Sequence, residues 1–131
     1  MKYVSTVVLG AIACLVALNT ASSTTSGELL RSCQEIVSRV RPQRGGEVDI
    51  PQSGLTCWYY MSAIQNMSVS ETPHGVRLLG ICAPTETTLM DYVRVFVAQA
   101  PKRKTQSDNA AALAVVILSE SFPCNSNPHS H

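Results

Sequence analysis

Cysteine and histidine are the residue types here that could carry chemistry, and their spacing decides against most of it. The 131-residue sequence has five cysteines and three histidines. No two cysteines stand as C-x-x-C, the spacing of thioredoxin-like redox centres and of many zinc sites. His74 follows Pro73 in a turn. His129 and His131 form an H-x-H pair in a small polar tail, where solvated terminal histidines are a plainer reading than a weak metal site. No G-x-S-x-G, H-E-x-x-H, P-loop or paired-carboxylate pattern is present. An enzyme must show a nucleophile, a base and a group that orients the base. The expectation is no enzyme, no cofactor and no bound metal.

The first residues read as an address rather than as domain. Lys2 is followed by an uncharged apolar run from Tyr3 to Leu18 and then by small polar residues, Asn19 to Ser26. A positive end, a short apolar core and a small-residue exit make a secretory signal peptide. The core is roughly 15 residues, short of the ~20 a bilayer-spanning helix needs. Residues 1–23 are therefore assigned to the signal, with cleavage between residues 21 and 26, and the product is expected to be exported. Lipidation at Cys14 is the competing reading. Against it, Ala11 sits where a larger aliphatic is usual, and Leu15 to Leu18 prolong the apolar core past the cysteine.

With Lys2 removed, nine basic residues face nine acidic ones. A near-neutral chain lacks the basic stripe that nucleic acid or an anionic membrane would call for. The remaining cysteines are Cys33, Cys57, Cys82 and Cys124, and an even count in an exported chain points to disulfides. Four cysteines allow three pairings, and their spacing alone does not choose. Helix geometry favours Cys33 with Cys57 and Cys82 with Cys124, each joining consecutive helices. Loops of roughly 24 and 42 residues closed in this way would each add ~2–4 kcal/mol by restricting the unfolded chain.

The elements that must position these cysteines are helical. The first helix is expected from Ser26 or Gly27, with Leu29, Cys33, Ile36 and Val40 on one face and Leu30 and Val37 beside them. Residues 41–54 have no sustained period and read as loop. Thr56 is expected to cap a second helix with Cys57, Tyr60, Met61, Ile64 and Met67 on its stripe. Glu71 to Gly75 is a turn, and Val76 to Ile81 a short extended piece or a single helical turn. Thr88 and Asp91 form a T-x-x-D capping box. Leu89, Tyr92, Val93 and Phe96 follow, and Pro101 stops the run. Ser107 or Asp108 restarts a helix through Leu113, Val116, Ile117 and Glu120, which Phe122-Pro123 ends. The fold class expected is all-α, a small disulfide-stapled bundle of about four helices over residues 27–124, with residues 125–131 a disordered tail.

Two features suit binding. Lys102-Arg103-Lys104 is a compact basic cluster in a loop between helices, where reach into a partner's cleft is free. A solvated loop beside the negative end of the preceding helix is the plainer reading. Trp58 and Tyr59 project to the flank of the second helix, and such aromatics are common interface anchors, although they also serve to cover a core. Asn66-Met67-Ser68 is formally a glycosylation sequon, without weight in a bacterial export product.

The order Cys82-Ala83-Pro84, Thr88, a helix ending at Pro101, and an alanine-rich helix closing on Phe122-Pro123-Cys124 resembles the Rap/Tai immunity proteins of bacterial type VI secretion. Cys57-Trp58-Tyr59-Tyr60-Met61 is similar to that family's cysteine-led helix start, and the likeness runs from about Leu29 to Cys124. The resemblance implies an exported, helical, non-enzymatic inhibitor, often a homodimer. It would bind a peptidoglycan-cleaving amidase toxin in the periplasm and occlude its groove. Two departures stand out: Tyr59 and Ala63 replace glycines, and Ala100 replaces a histidine before the helix-ending proline. A small periplasmic chaperone or stress protein, also helical and stapled, is the alternative. It would bind clients as carboxylates lose their charge in acid.

Overall fold

The computed structural model describes residues 24–40, 49–103 and 108–124. Residues 1–23 with Cys14, expected as a signal, the residues Lys104 and Ser107, and the tail 125–131 with His129 and His131 lie outside the described residues. Those described form an all-α, disulfide-stapled bundle of four helices. They are α1 (Ser26–Arg39), α2 (Leu55–Ser68), α3 (Leu89–Gln99) and α4 (Ala110–Ser121). A 3-10 turn, Gln52–Gly54, leads into α2, and another, Ala100–Arg103, leaves α3. Pro101 therefore sits inside the turn that ends the α3 run.

Local chemistry explains each start. Thr25 and Glu28 form a full capping box, with Glu28 N–H donating to Thr25 Oγ1 at 3.3 Å and Thr25 N–H to Glu28 Oε2 at 2.8 Å. This satisfies amides that the first helical turn leaves without intrahelical partners. Thr88 and Asp91 repeat the device at α3. At α4 the cap is Asn109, whose Oδ1 accepts from Ala112 N–H at 3.0 Å. That places the restart just beyond the expected Ser107 or Asp108. The Asp108 carbonyl serves α1 instead, accepting from Ser26 N–H at 3.0 Å. Thr25 and Asn109 thus lie side by side, and α1 and α4 begin together.

The start of α2 differs from its sequence reading. Thr56 does not cap it; the helix begins at Leu55, and its N-cap position is Gly54, which has no side chain to offer. The orphan amide of Cys57 is taken by a residue of another helix. Ser32 Oγ of α1 accepts it at 3.0 Å and donates to the Ser53 carbonyl at 2.8 Å. Gly54 is required by proximity, since a Cβ there would lie 2.5 Å from Ile36 Cγ1. One helical turn of α1 therefore holds the entry to α2 by a hydroxyl and, at the next residue, by the Cys33–Cys57 disulfide.

Around this junction α1 packs on α2, α3 and α4, and α3 packs on both α2 and α4. The core comprises Leu29, Cys33 and Ile36 of α1, Cys57, Met61 and Ile64 of α2, Tyr92, Val93 and Phe96 of α3, and Leu113, Ile117 and Leu118 of α4. The expected stripe of α2 needs one correction: Met67 is exposed. The buried series runs Cys57, Met61, Ile64, Ser68, and Met67 falls about 100° away from Ser68 around the helix. Ser68 occupies the buried position because its Oγ donates to the Gln65 carbonyl at 2.7 Å and lies 3.3 Å from the Tyr92 hydroxyl. Val37 is likewise exposed, outside the stripe of Leu29, Cys33 and Ile36.

The second staple, Cys82–Cys124, joins the residues flanking the α3–α4 hairpin. It is reinforced by Cys82 N–H donating to the Phe122 carbonyl at 2.8 Å and by stacking of Tyr92 on Phe122, centroids 5.4 Å apart.

Ser32→Ala is expected to leave the Cys57 amide unpaired and lower stability by about 1–3 kcal/mol. A urea melt under oxidising conditions measures this, and an unchanged midpoint would show that the hydroxyl is dispensable. The two staples should also part company in reductant. Cys33 and Cys57 are fully buried, whereas Cys82 is exposed and Cys124 half-buried. Exchange requires access of a thiolate to sulfur. With graded dithiothreitol, alkylation mapped by mass spectrometry should mark Cys82 and Cys124 first, and simultaneous labelling of all four would contradict this order.

Candidate functional site

Two carboxyls of the described residues cap helices. Glu28 is held below the ordinary carboxylate range by the Thr25 backbone N–H and then by the Thr25 hydroxyl. Asp91 is lowered by the Thr88 hydroxyl and then by the Thr88 backbone N–H. Both stand in the first turn of a helix, where a carboxylate also suits the helix dipole. Among the described residues no three His, Cys, Asp or Glu side chains gather as a metal site. His74 is exposed in its turn.

The residues selected from the sequence for partner binding are not gathered into one site. Trp58 is half-buried and packs against the core, while Tyr59, beside it in the first turn of α2, is 67% exposed. Arg103 forks onto Glu120 of α4, with Nη1 to Oε1 at 3.1 Å and Nη2 paired to Oε2. It ties the 3-10 turn to α4 rather than standing in solution. Lys102 Nζ lies 3.5 Å from Gln99 Oε1, and Lys104 is outside the described residues. The basic cluster follows the C-terminal end of α3, an eleven-residue helix that spans roughly 16 Å.

At the other end of α3 the chain makes a surface that the sequence reading missed. Residues 70–78, expected as a turn followed by an extended piece, fold back as a short hairpin. Gly75 N–H donates to the Thr72 carbonyl at 2.9 Å, Thr72 N–H to the Val76 carbonyl at 2.8 Å, and Leu78 N–H to the Ser70 carbonyl at 3.0 Å. Gly75, at φ 73°, supplies the left-handed residue that a three-residue hairpin loop requires. Arg77 Nε pairs with Glu71 Oε1 across the hairpin at 3.1 Å, and Arg77 Nη1 donates to the Ser68 carbonyl at 3.4 Å. Between hairpin and bundle is a cavity of about 330 Å³, lined by Gln65, Ser68, Arg77, Cys82, Thr87 and Tyr92. The legible signal was the Thr-Pro-His-Gly turn flanked by Val69 on one side and Val76 and Leu78 on the other.

Such an arrangement offers contact surfaces on a rigid frame. No helix of the described residues is long and apolar enough to cross a membrane.

The cap carboxyls give a pH dependence with a definite sign. Their folded-state values lie below the unfolded ones, so protonation favours the unfolded chain. Their contribution is complete above the ordinary values of 4.5 for Glu28 and 3.8 for Asp91 and is lost as pH falls through the lowered folded-state values. Urea midpoints of the native chain should fall between neutral pH and about pH 3 more than those of Glu28→Gln/Asp91→Asn, which starts lower. Parallel profiles for the two proteins would show that the caps do not carry the acid response.

The family model of the Rap1a immunity proteins matches residues 25–124. No curated protein and no solved structure matches the chain. The matched span opens on the Thr25 cap and closes on Cys124, so it takes in all four helices, both staples and the hairpin. On that coverage the chain belongs to the Rap1a immunity protein family.

Proposed function

We propose that this chain is an exported immunity protein that binds a type VI secretion effector, a peptidoglycan amidase, in the periplasm and occludes its substrate groove. The family match across the whole helical domain carries this reading. The mechanism is stoichiometric binding without catalysis. A frame stapled at two places resists deformation, so surface loops meet the partner already ordered and lose little conformational freedom. Tyr59 and Lys102 stand exposed on that frame and remain candidates for contact, with Lys104 beside them in sequence. Trp58 and Arg103 contribute by holding the surfaces in place.

The same reading makes residues 1–23 a signal segment. Thr25 caps α1, and the Thr24 carbonyl accepts from Ala110 N–H at 3.4 Å. Cleavage after Thr25 would delete the cap, so processing upstream of Thr24 is the form that preserves the fold.

The test is purification of the tagged full chain from the cell envelope of its own bacterium, without reductant. The expected result is one dominant partner with cell-wall amidase activity that falls to zero near equimolar titration, and a mature N-terminus at or before Thr24 by mass spectrometry. A partner whose hydrolysis is untouched, or an envelope fraction with no hydrolase bound, would overturn the function. Many partners captured only in acid would indicate a chaperone instead.

A further inference from the structure

The cavity between the hairpin and the bundle has walls of two kinds. Ile81 and Pro84 give it apolar sides, and Gln65, Ser68 and Tyr92 give it hydrogen-bonding ones. A single charged residue, Arg77, stands among the described residues of its lining. At about 330 Å³ it is large enough for a small ligand or one inserted side chain.

The guanidinium of Arg77 is held on one side and open on the other. Its Nε pairs with Glu71 Oε1 at 3.1 Å, and Nη1 donates to the Ser68 carbonyl at 3.4 Å. Glu71 is not part of the lining, so its carboxylate grips the arginine from outside the cavity. Nη2 has no hydrogen-bond partner among the described residues. The pair is substantially exposed and contributes little to stability. Its effect is to orient a cation whose remaining edge is left to a ligand.

The second donor lies deeper. Tyr92 is 1% exposed and Ser68 5%. Ser68 has one hydroxyl proton, and it is committed to the Gln65 carbonyl at 2.7 Å. The 3.3 Å contact between Ser68 Oγ and the Tyr92 hydroxyl is therefore made by the phenol proton. That is long for a bond between two hydroxyls, which is ordinarily about 2.7–2.8 Å, so the phenol proton is the one in this network free to turn to a stronger acceptor. Ser68 also brings the two donors together, since its carbonyl holds Arg77 and its hydroxyl contacts Tyr92.

A cationic fork and a phenol that share one neighbour suit an anionic oxygen acceptor, and a planar carboxylate matches the guanidinium edge. The carbonyls at this end of α2 do not oppose it, because those of Gln65 and Ser68 already accept from Ser68 Oγ and Arg77. The apolar sides suit the hydrocarbon stem behind the acid. We infer that this cavity is a binding site for a carboxylate on a short apolar stem, carried by an acidic side chain of a protein partner or by a free small acid. Arg77 Nη2 and the Tyr92 hydroxyl are its donors, and Glu71 is a positioning residue. The site goes beyond the proposed function and does not depend on it.

The test is a titration of the ¹⁵N-labelled chain, followed by NMR at constant ionic strength, with butyrate and with its neutral counterpart butyramide. Butyrate should give saturable shifts at the Arg77 side-chain Nε–H and the Tyr92 amide, and butyramide should bind at least about tenfold more weakly, the difference a charge-assisted hydrogen bond makes. Arg77→Gln should abolish saturation. Glu71→Gln, which breaks the same ion pair and keeps the guanidinium, should retain it. Both variants should keep the wild-type circular dichroism. The inference is overturned by an unsaturable response of the wild-type chain, by equal affinity for butyramide, by saturation that persists in Arg77→Gln, or by its loss in Glu71→Gln. The two sources of the acid separate when the captured hydrolase is added: displacement of butyrate places a side chain of the partner in the cavity, and butyrate retained in the complex makes it a site for a free acid. A chain that binds butyrate as described but captures no hydrolase overturns the proposed function and leaves the carboxylate site standing.

Discussion

The contact on which the rest of the structure depends is the meeting of Ser32 and Cys33 on α1 with the entry to α2. A helix beginning at Leu55 has no capping side chain of its own, and an unpaired buried amide is costly. The Ser32 hydroxyl removes that cost by accepting from Cys57 and donating to Ser53. The adjacent disulfide fixes the same two segments covalently. Gly54 allows the approach, since any side chain would collide with Ile36. Once α2 is anchored there, its buried series Met61, Ile64 and Ser68 is directed onto α3, and the remaining core follows.

The two ends of the bundle are built differently, and the difference matters for what each can do. Where α1 and α4 begin, caps and backbone bonds interlock: Ser26 donates to Asp108 and Ala110 donates to Thr24. Polar groups at this end are largely spent on one another. At the opposite end, aromatic stacking of Tyr92 on Phe122 and the Cys82–Cys124 bridge support a hairpin whose outer apolar side chains make no use of that support for their own burial.

Much of this was legible wherever the determining interactions are local in sequence. The Thr88–Asp91 box, the amphipathic faces of α1 and α3, and the staples joining consecutive helices all depend on near neighbours or on helix period. The Thr25–Glu28 box carried the same signature, T-x-x-E, and was readable though passed over. Thr56 was the natural cap by local rules and lost to Ser32, more than twenty residues upstream, a tertiary substitution that no local window contains. Met67 was misplaced for a related reason: a serine is the poorer core residue by composition, and only the Tyr92 hydroxyl and the Gln65 carbonyl make Ser68 the better occupant. Arg103 read as a free loop cation because Glu120 lies on the next helix. The family membership was readable from the order of short motifs; of the hairpin, the turn and the extended piece after it were legible, but not that the piece pairs back onto Ser70 and Thr72.

A protein of this size faces a conflict between stability and recognition. A core drawn from about a hundred residues is modest, and each apolar side chain committed to a partner is one withheld from it. Disulfides ease the conflict because they act chiefly on the unfolded chain and need no further apolar burial in the folded one. The positions of the two bridges fit that division of labour. The buried one stands at the junction that sets the core, where its loss would leave α2 without its anchor. The exposed one stands next to the hairpin, where it holds a surface rather than an interior.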